Sequence, residues 1–347
     1  MKFKKNIIYL CDAEKKASGG AKVIYQHSEI INSLRNFSSE VLHLKLKKTA
    51  KWSISLSKKI PFKTVAPQGW QANQVKAAVN FKHKWFKNNV KTKSDLIFNS
   101  KKDFVIVPEI YAHLADNLFL KKKIDYAIFV QNGYAINSTD NFKKIKKVYD
   151  NAKFILSYSK DITDSILIIF PKLKNKIIKL SISVNVNKYR LNNKKKNLIT
   201  YMSRKLPQHS SKVVSILRLY LPKKWKIKNL NNMSEKEIFQ NLNSSKIFLS
   251  FSDMEGLGIP PIEAALLKNK VIGYVGGGGN EYWKNPIFTT VNSGDIKRFV
   301  RLVIKNLSVN YNSYLKNRKK LSQQFSKIKE LSSILKLLKY ITNYQKQ

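Results

Sequence analysis

One cysteine, very few arginines, little acid and no long apolar run are the shortages of this sequence, and each removes a class of protein. Cys11 alone cannot build an internal disulfide framework, and it lies in the apolar run 6–11, so a buried, unreactive thiol in a reducing compartment is expected. Crossing a bilayer takes about 18 or more apolar residues in succession, whereas runs such as Ile166 to Phe170 are strand- or helix-sized. The opening MKFKKNIIYLCDAEKK sets basic residues before an apolar stretch too short for a signal sequence. A cytoplasmic chain is expected, with peripheral attachment to the inner face of the membrane as an option. Acid is scarce: 21 Asp and Glu oppose 66 Lys and Arg, for a net charge of +45. Such a balance ordinarily marks nucleic acid or an anionic membrane surface as partner. Nearly all of the cations are Lys, however, and Asn and Ile are abundant too, the composition an AT-biased genome writes onto any surface. The charge thus has a compositional reading and a membrane reading, and nucleic acid is the least favoured.

Two domains of ordinary size fit in 347 residues, and 43% apolar residues suffices for their cores. The run 6–11, a loop ending in Ser18, Gly19 and Gly20, and Val23, Ile24, His27, Ile30, Ile31 and Leu34 at three- and four-residue spacing predict strand, turn and amphipathic helix. From Val41 to Lys93 the pattern is weak, with lysines around Trp52, Trp85 and Phe86 that suit either an anionic bilayer or buried aromatics ringed by solvated lysines. His83, with no partner at metal-ligand spacing, is expected on the surface. Strands follow at 104–107, ending in Pro108-Glu109, at 126–130, ending in Gln131-Asn132-Gly133-Tyr134, at 154–157 and at 177–183, with a helix at 161–170. Polar residues at successive strand ends point to a cleft along the carboxyl edge of a parallel sheet. His113, just beyond one strand, is either a base or structural.

The polar run 185–197 marks a domain boundary. The expected domains are 1–190, 191–325, and a basic C-terminal helix, 326–347, placed to pack back on the first. The second half repeats the α/β pattern: a strand at 198–202 ending in Ser203-Arg204-Lys205, a helix through Val213 to Leu219, a strand at 225–230, and a Ser234-x-x-Glu237 capping box at the head of another helix. Then comes KIFLSFSDMEGLGIPPIEAALLKNKVIGYVGGGGNEYW, 246–283, which reads as strand, glycine loop, helix, strand and glycine loop. Pro260 and Pro261 open the helix, where a missing N–H does no harm. Glu255 lies in the loop and Glu263 is expected in the first helical turn. Gly256 and Gly258 let backbone amides approach a ligand, and a helix N-terminus favours an anion, so a phosphate suits the loop and a ribose suits Glu263. The plainer alternative is that Glu263 complements the helix dipole and the glycines only turn the chain. If the sheet is parallel, Arg204 and Lys205 share its edge with Glu255, and two cations beside a glycine loop hold a diphosphate without a metal. No Asp-x-Asp pair, the usual metal-assisted diphosphate arrangement, occurs in the sequence.

Ser-x-x-Glu-Gly-x-Gly-x-Pro-x-x-Glu-Ala, followed by a strand and a loop ending Gly-Asn-Glu-Tyr-Trp, resembles the donor site of retaining glycosyltransferases of family 4, or group 1. The resemblance is specific over 198–283 and weaker before it. It implies the GT-B architecture, two Rossmann-like α/β domains facing each other across a cleft, and transfer of a sugar from a nucleotide-diphosphate sugar to a glycan or lipid-linked acceptor, as in cell-envelope polysaccharide or lipopolysaccharide synthesis. No cofactor and no metal are implied; the nucleotide sugar is a co-substrate. Carried over, Arg204 and Lys205 neutralise the diphosphate and Glu255 lies near the donor sugar. Glu263 takes the ribose, Gly256, Leu257 and Gly258 supply the phosphate loop, and Gly19 and Gly20 close on it from the other domain. Two departures stand out. The second basic residue comes directly after Arg204 instead of a few positions later, where His209 and Lys212 are found. A histidine of the acceptor domain is replaced by Gln131 or Asn132, which with His113 are the acceptor-side candidates. The same fold also hosts nucleotide-sugar epimerases, and a basic binding protein for membrane or nucleic acid is the non-enzymatic rival.

Overall fold

The computed structural model describes residues 5–14, 18–46, 75–86, 88–136, 142–189, 194–308 and 314–344. In chain order the elements of the first half are β1 (Lys5–Asp12), α1 (Gly19–Asn32), β2 (Phe37–Leu46), β3 (Val75–Ala77), β4 (Lys91–Lys93), β5 (Asp103–Pro108), α2 (Ala115–Leu118), β6 (Tyr126–Phe129), α3 (Phe142–Asn151), β7 (Phe154–Ser157), α4 (Lys160–Ile169) and β8 (Ile177–Lys179). Those of the second half are β9 (Lys196–Tyr201), α5 (Pro207–Tyr220), β10 (Lys226–Asn229), α6 (Glu235–Ser244), β11 (Ser245–Phe251), α7 (Ile259–Leu266), β12 (Lys270–Tyr274), β13 (Phe288–Thr290), α8 (Ile296–Lys305), α9 (Leu315–Gln324) and α10 (Lys327–Tyr344).

Two compact units result: 1–157 with 163–180 and 334–347, and 158–162 with 181–333. The boundary drawn at 190 from composition therefore moves to 180, because the residues just after it bond within the second unit. Val184 N donates to Phe325 O (3.0 Å), and Tyr189 Oη donates to Glu235 Oε2 (2.7 Å). For the same reason the strand expected at 177–183 stops at Lys179.

Among the described residues of the first unit, eight strands form one sheet, ordered β3-β2-β1-β5-β6-β7-β8 with β4 also on β2, and there the β3 pairing alone is antiparallel. The central strand β1 is an unbroken apolar run because both faces of a parallel sheet are covered: Ile7, Ile8, Tyr9 and Leu10 are wholly buried. The end of α10 belongs to this unit, where Tyr340 and Tyr344 lie 6.0 and 6.2 Å from the Phe154 ring. Trp52 lies outside the described residues; Trp85 is half-buried.

Among its described residues the second unit carries five parallel strands in the order β10-β9-β11-β12-β13. Its core includes Ile199, Leu249, Phe251 and Ile272 from the strands, packed on Val213 of α5 and Phe299 of α8. The Ser234–Glu237 capping box forms as read, each side chain bonding the other's backbone N–H. At the N-terminal edge of the sheet, Lys195 Nζ donates to Leu242 O (3.1 Å), Ser245 O and Leu267 O (2.6 Å), and Asn269 Nδ2 to Leu242 O (2.7 Å) and Ala264 O (3.0 Å). Burial drops Lys195 to about 7, and these carbonyls, which close the turns after α6 and α7, tie the bottom of the unit together. No helix among the described residues is long and apolar enough to cross a membrane.

Candidate functional site

In both sheets the strand order reverses beside the first strand of the unit, between β1 and β5 and between β9 and β11. Loops leaving the carboxyl ends of strands at such a point splay apart and leave a crevice, the usual ligand position in open α/β sheets. In the second unit the two loops at the switch point carry Arg204-Lys205 and Glu255. The parallel register of β9 and β11 brings them together: Lys205 Nζ lies 3.6 Å from Glu255 Oε1, both partly exposed. Arg204 is exposed. His209, in the first turn of α5, stands edge-on to Tyr274 with ring centroids 5.7 Å apart; Lys212 is exposed one turn further on.

The loop from Glu255 to Gly258 is fastened through four consecutive carbonyls. Glu255 O accepts from Gly278 N (3.0 Å), Gly256 O from Ser159 Oγ (2.6 Å), and Leu257 O and Gly258 O both accept from Tyr282 Oη (3.1 and 2.7 Å). A trans peptide is planar, with C=O of one residue and N–H of the next pointing opposite ways. Fixing those carbonyls therefore turns the amides of Gly256, Leu257, Gly258 and Ile259 each away from its own anchor, at the head of α7. Backbone amides of a glycine loop at a helix head are the type of donor that binds anions. Burial, with the Glu255 charge second, pushes the Tyr282 hydroxyl well up, so it stays a donor.

The glycine run 276–279 is the second wall of this loop. Glu255 N donates to Gly276 O (2.8 Å), and a Cβ on Gly278 would fall 2.0 Å from Gly256 O, so a side chain there is excluded by backbone. Gly258, at φ +76°, is the left-handed residue from which α7 departs. That start, at Ile259, corrects one expectation: Glu263 falls in the second turn, not the first, because the helix begins ahead of both prolines. Its side chain is buried, with 5% of the residue exposed.

The first unit gathers its candidates on its own switch point. Gly19 and Gly20 open α1 behind Ser18, whose Oγ accepts from Ala21 N (3.1 Å), and Gln131 Nε2 donates to Gly20 O (3.2 Å). Asn132 Oδ1 accepts from Tyr134 N (3.1 Å) and caps the short turn 133–135. His113 is buried in the 3-10 turn Glu109–Leu114. Glu109 joins the β5 and β6 ends, its two oxygens accepting from Gln131 N (2.9 Å) and Asn132 N (3.1 Å). Burial raises it to about 7 against the pull of those hydrogen bonds.

Sequence reading left three of these residues without roles. Glu109 stood at a strand end among other polar residues, and Tyr282 within a quoted motif. Ser159 lies 97 residues before the carbonyl it holds, with no local signal at all. His83 is also corrected: it is 5% exposed, not a surface residue, because Tyr25, Phe81 and Phe86 enclose it.

No protein-family model and no curated protein matches the sequence. Solved structures do match. A glycosyltransferase from Rickettsia africae ESF-5 is 14% identical with a TM-score of 0.63, covering 98% of this chain and 99% of that one. Anabaena HepE in complex with UDP-glucose is 9% identical with a TM-score of 0.67, over 96% and 99%. S. aureus TarM in complex with fondaparinux, alpha-GlcNAc-glycerol and UDP is 13% identical with a TM-score of 0.62, over 97% and 99%. At these identities the likeness is one of fold, the two Rossmann-like α/β domains of GT-B glycosyltransferases.

Proposed function

We propose that the chain is a retaining, metal-independent glycosyltransferase that moves a sugar from a nucleotide-diphosphate sugar to a glycan or lipid-linked acceptor in cell-envelope polysaccharide or lipopolysaccharide synthesis. The observation that carries this reading is the juxtaposition of Lys205 and Glu255 across a parallel-sheet switch point, beside a glycine loop held in place by its anchored carbonyls. A diphosphate matches the amides and the cations of Arg204 and Lys205, which take the charge that develops as the sugar–phosphate bond breaks. Glu263 holds the ribose and Glu255 the donor sugar. The acceptor hydroxyl attacks the anomeric carbon on the face from which the diphosphate leaves. A phosphate oxygen takes its proton, so a new glycosidic bond and a free nucleotide diphosphate are the products. Gln131, Asn132 and His113 belong to the acceptor side. UDP and UDP-glucose stand beside two of the similar structures, which makes a uridine donor the first to try.

A thermal-shift series over nucleotides and nucleotide sugars, followed by assay of donor hydrolysis without acceptor, tests the reading. Stabilisation by one nucleotide sugar is expected, with hydrolysis indifferent to EDTA and lost in Glu263→Ala and Arg204→Ala. Full activity in both variants would overturn the site. No shift with any nucleotide sugar, together with tight salt-sensitive binding to anionic vesicles, would favour a basic binding protein instead.

A further inference from the structure

A second constellation lies in the first unit and has no part in the chemistry above. β1 and β2 pair in parallel with Cys11 opposite His43, so the two side chains are neighbours on one face of the sheet. The segment after β3 then folds His83 onto that pair: Ala78 N donates to His43 O (2.8 Å) and His83 N to Tyr25 Oη (2.9 Å). His83 Nε2 lies 3.8 Å from Cys11 Sγ, 3.1 Å from Asp12 O and 3.5 Å from Asp12 Oδ1. One ligand atom from each of Cys11, His43 and His83 falls within 4.8 Å of the others, and all three residues are buried.

We propose that Cys11, His43 and His83 bind a zinc ion through one thiolate and two imidazoles. Tetrahedral zinc, with bonds of about 2.3 Å to sulfur and 2.0–2.1 Å to nitrogen, sets its sulfur and nitrogen ligand atoms roughly 3.3–3.6 Å apart, a little less than the 3.8 Å between Cys11 Sγ and His83 Nε2. His43 supplies an independent sign. Its Nε2 is hydrogen-bonded to Tyr25 Oη (2.8 Å), whereas its buried Nδ1 has no hydrogen-bond partner among the described residues. One nitrogen held and the other available is the state in which a ligating histidine is found. Thiolate with two imidazoles is a donor set for zinc, not for magnesium or calcium. Tyr25, Phe81 and Phe86 line the cluster with rings 5.0 to 5.8 Å from the imidazoles, a dry wall that keeps water from competing. Binding replaces the S–H bond of Cys11 by S–Zn and releases the proton to solvent. The ion would clasp the carboxyl end of β1 and the body of β2 to the 81–86 segment, and it is separate from the metal-free transfer proposed above.

Because the site is buried it is loaded as the chain folds, so the test is expression in zinc-supplemented medium and elemental analysis of the purified full chain. About one zinc per chain is expected, as for a single structural site, with a melting midpoint several degrees above that of protein refolded with chelator. Cys11→Ala and His83→Ala should fold, by circular dichroism, and lose the metal. Protein refolded with cobalt gives a reading that needs no variant: thiolate-to-cobalt charge transfer with intense tetrahedral d–d bands is expected. Wild-type protein without stoichiometric zinc, a cobalt spectrum lacking the thiolate band, or folded Cys11→Ala retaining full zinc would each overturn the proposal. Each leaves the transferase reading untouched, since that reading is tested by nucleotide-sugar binding in the other unit.

Discussion

Gly278→Ala is the sharpest probe of the anchored loop. The new Cβ would stand 2.0 Å from Gly256 O, 2.3 Å from Gly256 C and 2.7 Å from Leu257 N, all backbone atoms that no rotamer change can move. Reaching ordinary contact beyond 3.4 Å therefore displaces one of the two loops by more than an ångström. The hydrogen bonds from Gly278 N to Glu255 O and from Glu255 N to Gly276 O break with that motion. Two net hydrogen bonds at about 0.5–1.5 kcal/mol each, plus about 1–3 kcal/mol of overpacking, give a destabilisation of roughly 2–6 kcal/mol. A shift of that size in the loop bearing Glu255 should lower turnover on the order of 10²-fold. Gly294→Ala is the control: at φ +88° it carries backbone strain of about 1 kcal/mol, but a Cβ there meets nothing within 4 Å. Urea unfolding and donor hydrolysis of both variants decide the matter. A Gly278→Ala protein as stable and active as Gly294→Ala would refute the claim that the two glycine loops are locked backbone to backbone.

Tyr282→Phe removes the single hydroxyl that anchors Leu257 O and Gly258 O; a stability loss of about 1–3 kcal/mol and weaker nucleotide affinity are expected in denaturation and binding titrations. Ser159→Ala frees Gly256 O and also the Ile162 N–H that Ser159 Oγ accepts (3.1 Å), for a loss of about 1–3 kcal/mol measured by urea midpoint. Glu109 has a folded-state value near 7 against an ordinary 4.5, so its stabilising contribution is complete below about pH 4.5 and is lost as pH rises through 7. The stability difference between wild type and Glu109→Gln should shrink across that window by up to about 3 kcal/mol, and a difference constant with pH would contradict the burial argument.

The central strands of both units were plain in the sequence because burial on two faces forces unbroken apolar runs, as in Ile7–Leu10 and Ile247–Leu249. Topology followed from them, and with it the meeting of Lys205 and Glu255. β2 was missed because FSSEVLHLKL mixes polar and charged residues into a strand whose buried His43 looks polar on paper. The start of α7 shifted because a left-handed Gly258 caps it, a backbone state that Pro260 and Pro261 do not announce. The zinc proposal was invisible for a different reason: its ligands are joined by strand register and by a fold-back over 72 residues, not by any spacing along the chain.

The two units are interleaved in sequence, and the second takes Tyr158–Ile162 from the middle of the first. That arrangement constrains how such a gene can be recombined. A swap of C-terminal halves cut at a single point between residue 180 and the glycine loop would import a new loop but leave behind the Ser159 that braces it. A working chimera has to exchange 158–162 and 181–333 as a matched set, so substitutions in this five-residue patch and in the distant loop are expected to be inherited together.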